Sequence, residues 1–265
     1  MRIVLVGAGA MGGALLSGWV AGGQDPADVV VVDSYTPRVN ELVAEFGVRG
    51  ADLNEAAEAD VVVLAVKPHQ ILGVAKALDG ALRPGTVVVS IAAGVPLAKL
   101  VDALPEGQPV FRVMPNTPAL LGKGMSGVVA GPGTSQDQQL MVVGLLDAVG
   151  RTVVIDEDHI DALTGLSGSG PAYLFYVAEA MVEAGVHQGL TRPEATALVN
   201  QTFVGAAAML DESGDSATLL RERVTSPGGT TAAALRTLDD HGVRAALLAA
   251  VEACVERGAQ MASDG

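Results

Sequence analysis

Arg2-Ile3-Val4-Leu5-Val6-Gly7-Ala8-Gly9-Ala10-Met11-Gly12 decides how the rest of the chain is read. Ile3–Val6 is apolar without alternation, as expected of a strand buried on both faces of a parallel sheet. Gly7, Gly9 and Gly12 follow in G-x-G-x-x-G spacing, and a helical pattern starts at about residue 11. Between a strand and a helix each glycine has its own task. Gly7 permits a tight turn, Gly9 lets the backbone approach a pyrophosphate, and Gly12 allows the helix to pack closely on the strand. The pyrophosphate would rest on free N–H groups at the helix N-terminus. Residues Gly7, Ala8, Gly9, Ala10, Met11 and Gly12 are therefore expected to form a dinucleotide-binding turn.

Working outward, six more short β-branched runs follow: Val29–Asp33, Asp60–Val66, Thr86–Ile91, Pro109–Met114, Met125–Ala130 and Thr152–Ile155. Helical patterns at about 11–22, 37–46, 68–78, 96–103 and 135–147 lie between them. Such alternation argues for a doubly wound α/β domain over residues 1–157. Beyond residue 157 the strand signal stops. Leu174, Val177, Ala178, Met181 and Val182 form a 3.6-period stripe, as do Val243, Ala246, Leu247, Ala250, Val251 and Cys254. Thr191 and Glu194 make a capping-box pattern for a helix running to about Leu210. Residues 158–265 are thus expected to be all helical. Their Ala- and Leu-rich faces need a cover, from the α/β domain or from a second subunit, and a second subunit is the reading preferred here.

The chain has 265 residues, more than one hydrophobic core usually holds, and 49% of them are hydrophobic but only 3% aromatic. A formal net charge of −14 disfavours nucleic acid and anionic membranes as partners. The single cysteine, Cys254, excludes an intrachain disulfide, fits a reducing, cytoplasmic compartment and reads as a core thiol. Ile3–Val6 is broken by glycine too soon for a signal peptide, and no apolar run approaches the roughly 20 residues of a spanning helix.

Asp33 stands 21 positions after Gly12, at the end of the second apolar run. A carboxylate there accepts hydrogen bonds from a ribose with free hydroxyls and repels a 2′-phosphate. Ser34, Thr36 and Arg38 follow at once and could instead hold that phosphate, so NADPH and NADH both stay open. Ligands of open α/β sheets bind beyond the carboxyl ends of strands, which brings in Val66-Lys67-Pro68, Ser90-Ile91-Ala92-Ala93-Gly94, and Met114-Pro115-Asn116-Thr117-Pro118. Lys67 reads equally as a cofactor contact or as an exposed loop cation.

In the helical half, Ser226-Pro227-Gly228-Gly229-Thr230-Thr231 places a favoured N-cap and a tolerated first-turn proline before a helix. Free first-turn amides and the hydroxyls of Ser226, Thr230 and Thr231 make a neutral, donor-rich cup suited to a carboxylate. Gly228 and Gly229 weaken a helix and leave space, so an ordinary cap has no need of them. Ser167–Tyr173, with Pro171, reads as a second helix start. His69, His159, His187 and His241 fall in no metal-ligand spacing, and no nucleophile elbow is present.

Val-Lys-Pro at 66–68, Met-Pro-Asn-Thr-Pro at 114–118, Ser-Gly-Ser-Gly-Pro-Ala-Tyr at 167–173 and Thr-Ser-Pro-Gly-Gly-Thr-Thr at 225–231 resemble, in order and over nearly the whole chain, the signatures of pyrroline-5-carboxylate reductase. The resemblance implies a Rossmann domain followed by a helical dimerisation domain, dimers that join into rings, and reduction of L-1-pyrroline-5-carboxylate to L-proline by NADPH or NADH. It implies that Ser226, Thr230 and Thr231 hold the substrate carboxylate, that Glu157 is a substrate-proximal acid, and that Asn54 lies at the adenosine ribose. Asp33 departs from the small or neutral residues of other members. Thr231 is the candidate to hydrogen-bond the ring nitrogen. Rival readings are another imine or hydroxy-acid reductase of this architecture, disfavoured for hydroxy acids by the lack of a Lys or His acid in the second half. A redox-sensing binding protein is the other, and it would not need the Ser226–Thr231 cup.

Overall fold

A computed structural model describes residues 1–264. Its strands are β1 (Ile3–Val6), β2 (Val29–Val32), β3 (Arg49–Gly50), β4 (Val61–Leu64), β5 (Val87–Ser90), β6 (Val110–Met114), β7 (Gly124–Ala130) and β8 (Gly150–Val154). They form one sheet in the order β3-β2-β1-β4-β5-β6-β7-β8. Helices α1 (Ala10–Ala21), α2 (Thr36–Phe46), α3 (Pro68–Ala77), α4 (Leu97–Ala103) and α5 (Gln136–Asp147) connect them. The doubly wound sheet expected from the apolar runs is present, with two differences. β3 is an eighth strand, only two residues long, and both residues are exposed, so it carries no hydrophobic signal. The β6–β7 pair is antiparallel, because the connection between them, residues 115–123 with a 3-10 turn at Thr117–Leu121, is too short for a parallel crossover, whereas the other neighbours pair in parallel.

Continuous valine runs suit these strands because the sheet is covered on both sides. Alternate residues point to opposite faces. Ile3, Leu5, Val61 and Val63 join Leu15, Leu16, Trp19 and Leu145 in one cluster, while Val4, Val62 and Leu64 join Ile71, Ala75 and Leu100 in another. Trp19, the only tryptophan, is 3% exposed and donates its indole N–H to the Leu145 carbonyl at 2.8 Å.

After Val154 the described residues contain only helices and turns. They are α6 (Ile160–Leu163), a π-helical turn (Thr164–Gly168), α7 (Gly170–His187), α8 (Arg192–Glu212), α9 (Ala217–Arg223), α10 (Thr230–Asp240) and α11 (Val243–Asp264). α8 begins with the expected capping box, the Thr191 hydroxyl accepting from the Glu194 amide and Glu194 accepting from the Thr191 amide. The second expected helix start is present, α7 beginning at Gly170 within Ser167–Tyr173. The chain passes from α6 into α7 through the π-helical turn, where the Ser169 amide donates to the Thr164 carbonyl at 2.8 Å. Pro171, the second residue of α7, suits its first turn.

The chain divides into two compact units, residues 1–169 with the end of α11 from Cys254, and Gly170–Ala253. In the second, α7 and α8 meet through Val182, Ala195 and Val199, with Ala178, Val186 and Phe203 around them. Gly185 lets them close up, since a Cβ there would stand 3.0 Å from the Ala195 methyl. No described helix is long and apolar enough to cross a membrane.

Candidate cofactor and substrate sites

Sheet order reverses at β1, whose neighbours are β2 and β4, and a crevice opens beyond the carboxyl ends of these strands. Gly7 has φ +110°, and a Cβ on it would lie 2.5 Å from the Ala65 carbonyl carbon. Gly12 is as constrained, its Cβ position being 2.2 Å from the Gly7 carbonyl oxygen. Gly9 differs: nothing lies within 4 Å of where its Cβ would be. The absence of a side chain at Gly9 therefore serves space and not packing. The first intrahelical bond of α1 runs from Gly13 N to Gly9 O at 2.8 Å. The amides of Ala10, Met11 and Gly12 precede it and have no partner in the helix. An open space beside a helix N-terminus fits a pyrophosphate.

A cleft of about 690 Å³ occupies this crevice. Of the residues expected at the cofactor, Gly7, Gly9, Ala10, Met11, Asp33, Ser34, Val66, Lys67, Pro68 and Ala93 line it. Ala8 and Gly12 sit behind the turn, and Asn54 is an exposed neighbour of Leu53, which does line the cleft. Ile91 and Ala92, from the strand end singled out in the sequence, line it too, whereas sequence reasoning passed over Leu53, Gln70, Val74 and Leu120. They are ordinary apolar or polar residues, and only their places beyond strand ends could have singled them out.

Asn116 is 9% exposed and both ends of its amide are engaged within the protein. Its Nδ2 donates to the Ser167 carbonyl at 3.0 Å, and its Oδ1 accepts from the Met125 amide at 2.8 Å. It thereby ties the Met114–Pro118 loop to the π-helical turn and to β7. Glu157 is tied as well. Oε1 accepts from the buried Arg112 guanidinium at 2.5 Å and from the Leu97 amide, at the start of α4, at 2.9 Å. Oε2 is buried and has no hydrogen-bond partner among the described residues.

In the helical unit, α10 starts at Thr230 with Gly229 as N-cap, three residues later than a Ser226 cap would put it. Ser226 instead begins a turn closed by Gly229 N donating to Ser226 O at 3.0 Å, with Gly228 at φ +70°. The free first-turn amides are accordingly those of Thr230, Thr231 and Ala232, since the first bond back is Ala233 N to Gly229 O. No hydroxyl of Ser226, Thr230 or Thr231 makes a hydrogen bond among the described residues. The segment keeps the donors the cup requires, from residues slightly further along.

Strand order, glycine turn and acidic residue at the end of β2 define a dinucleotide-binding enzyme of the Rossmann class. Two family models match the chain: "Pyrroline-5-carboxylate reductase dimerisation" over residues 157–261 and "NADP oxidoreductase coenzyme F420-dependent" over residues 2–94. A pyrroline-5-carboxylate reductase of Corynebacterium melassecola is 43% identical over 264 residues, 98% of each chain. A crystallised relative of that description from Coxiella burnetii superposes with a TM-score of 0.95 at 36% identity, covering 98% of both chains. Another, from Plasmodium falciparum with NADP bound, superposes at 0.85 with 28% identity, covering 99% of this chain and 98% of that one. The chain belongs to the pyrroline-5-carboxylate reductase family.

Proposed function

We propose that this protein reduces L-1-pyrroline-5-carboxylate to L-proline with a reduced nicotinamide dinucleotide held on the α1 N-terminus. The observation that carries the reading is the pairing of two features: an intact dinucleotide crevice, and a Ser226–Thr231 segment whose hydroxyls and first-turn amides are unspent. The bound dinucleotide supplies the hydride. The protein's part is to orient, since a cyclic imine protonated from solvent needs no further acid and only has to be held at near-attack distance. Ser226, Thr230 and Thr231, with the backbone at Gly228 and Gly229, receive the carboxylate. Thr231 reaches the ring nitrogen, and Glu157 borders the substrate. Asn54 and Asn116 belong to the cofactor's surroundings, Asn116 by fixing the loop it stands on.

The chain works as a homodimer joined through the helical segment. Rings of such dimers form a higher level, and the cytoplasm is the compartment that suits its single, unpaired cysteine. Steady-state oxidation of NADH and of NADPH, each with pyrroline-5-carboxylate, tests the reaction. Saturable turnover yielding proline is expected. No turnover with either cofactor, or faster reduction of an imine lacking the carboxylate, would overturn it.

A further inference from the structure

The connection from β2 to α2 grips the glycine-rich turn from behind. Asp33 Oδ2 accepts from the Ala8 amide at 2.6 Å, and Oδ1 accepts from the Tyr35 amide at 2.8 Å. Arg38 Nε donates to the Ala8 carbonyl at 3.2 Å. Both peptide groups flanking Ala8 are thus held by side chains five residues apart in the next crossover. Two backbone donors fix the orientation of the Asp33 carboxylate and keep it on the cleft wall beside Ser34.

Arg38 is the one cation of the β2–α2 connection, residues 33–38, and its charge is already spent. Besides the Ala8 carbonyl it serves Glu41, Nη1 to Oε2 at 2.8 Å, and it does not line the cleft. Thr36 also lies outside the lining, as the first residue of α2. Of the three residues that might have received a 2′-phosphate, only the neutral Ser34 faces the space. A phosphate there would meet a fixed carboxylate and no compensating cation from this connection.

We infer that Asp33 makes this chain select NADH over NADPH and, through Ala8, also positions the pyrophosphate turn. The inference rests on the crevice being the nicotinamide dinucleotide site. Binding is measured without substrate, by titrating the dimeric protein with NADH and with NADPH and following nicotinamide fluorescence. NADH should bind about tenfold tighter or more, as expected for like charges held together. Asp33→Asn keeps the shape and one acceptor but removes the charge, and it should bring the two affinities together. Arg38→Met loosens the turn and should weaken both cofactors alike, leaving their ratio unchanged. Equal affinities in the wild type overturn the inference. So does an unchanged ratio in a folded Asp33→Asn protein, or a ratio that moves only with Arg38→Met. If pyrroline-5-carboxylate is not turned over but the NADH preference and its loss in Asp33→Asn hold, the reaction is misassigned and the selectivity stands. Failure of both cofactors to bind would sink the two together.

Discussion

The two compact units contrast in where they put their apolar side chains. In residues 1–169 the strands are short but almost wholly buried, and two clusters cover the faces of the sheet. In Gly170–Ala253 the buried apolar residues are Val182, Ala195, Val199 and Leu220. Phe175, Tyr176, Val204 and Leu248 meanwhile stand more than 60% exposed in the single chain. An exposed set of that size on helices is a surface meant for another protein surface. One region carries a complete core within one chain; the other is finished by assembly.

The strongest way to break the contrast is to charge the exposed helical set. Phe175→Glu or Leu248→Glu should convert the dimer to monomer at micromolar concentration in analytical ultracentrifugation, with loss of turnover. Leu140→Glu, an equally radical change at an exposed position on α5, should leave the mass unaltered. Equal behaviour of the two kinds of substitution would erase the distinction.

Next in size is the glycine turn. Gly12→Ala drives a methyl into the Gly7 carbonyl and should lower the melting temperature as well as abolish nicotinamide binding. Gly9→Ala meets no protein atom, so it should melt like the wild type while binding the dinucleotide poorly. A Gly9→Ala protein with unimpaired binding would mean that no ligand approaches there.

Glu157 stands where the α/β region gives way to the dimerisation segment. Glu157→Gln leaves the buried Arg112 charge without its partner. The cost should be about 2 kcal/mol, below that of a fully buried pair because Glu157 keeps some exposure, and thermal denaturation would report a fall of about 6 °C. A drop in turnover with no change in melting would assign Glu157 to the substrate alone.

Thr231→Ala asks whether the helical region carries chemistry as well as assembly. Loss of one hydrogen bond that tightens as hydride arrives should lower kcat/KM about 10-fold, chiefly in kcat. Unchanged kinetics in a dimeric variant would leave the segment a helix start only.

The smallest effect expected is at the surface of the α/β region. Hydrogen bonds from Arg2 and then Arg49 hold the Glu55 carboxyl below its ordinary range. A depressed carboxylate contributes stability that is present above its unfolded value, and it is lost as pH falls through the folded one. Glu55→Gln should therefore be slightly less stable than wild type at pH 7 in urea titrations, and the difference should vanish as pH falls below about 4.3 and the wild-type carboxyl protonates.

Much of this was readable in the residue order because burial on both faces leaves an unbroken apolar run, and a tight turn leaves glycines at fixed spacing. What escaped was governed by partners distant in sequence or by direction. Arg49–Gly50 pairs with β2 without any apolar residue. Nothing in a period-2 pattern tells whether β7 runs with or against β6. The Arg112–Glu157 tie spans 45 residues, and no periodic signal marks the π-helical turn that leads into α7. At Ser226 the residue types fitted a cap, but the glycine pair permitted one more turn before α10 began.

Trp19 gives the contrast a spectroscopic form. It is the chain's only tryptophan, it sits on the helix that opens at the glycine turn, and its ring is buried with its N–H satisfied. Its emission should lie toward the blue and should redden only when the α/β core opens. Separation of subunits, or melting of Gly170–Ala253 on its own, would be dark in that channel while far-ultraviolet circular dichroism registered the lost helix. Unfolding curves that coincide by the two methods would then mean that assembly and core fail as one event, and curves that separate would give each region its own midpoint.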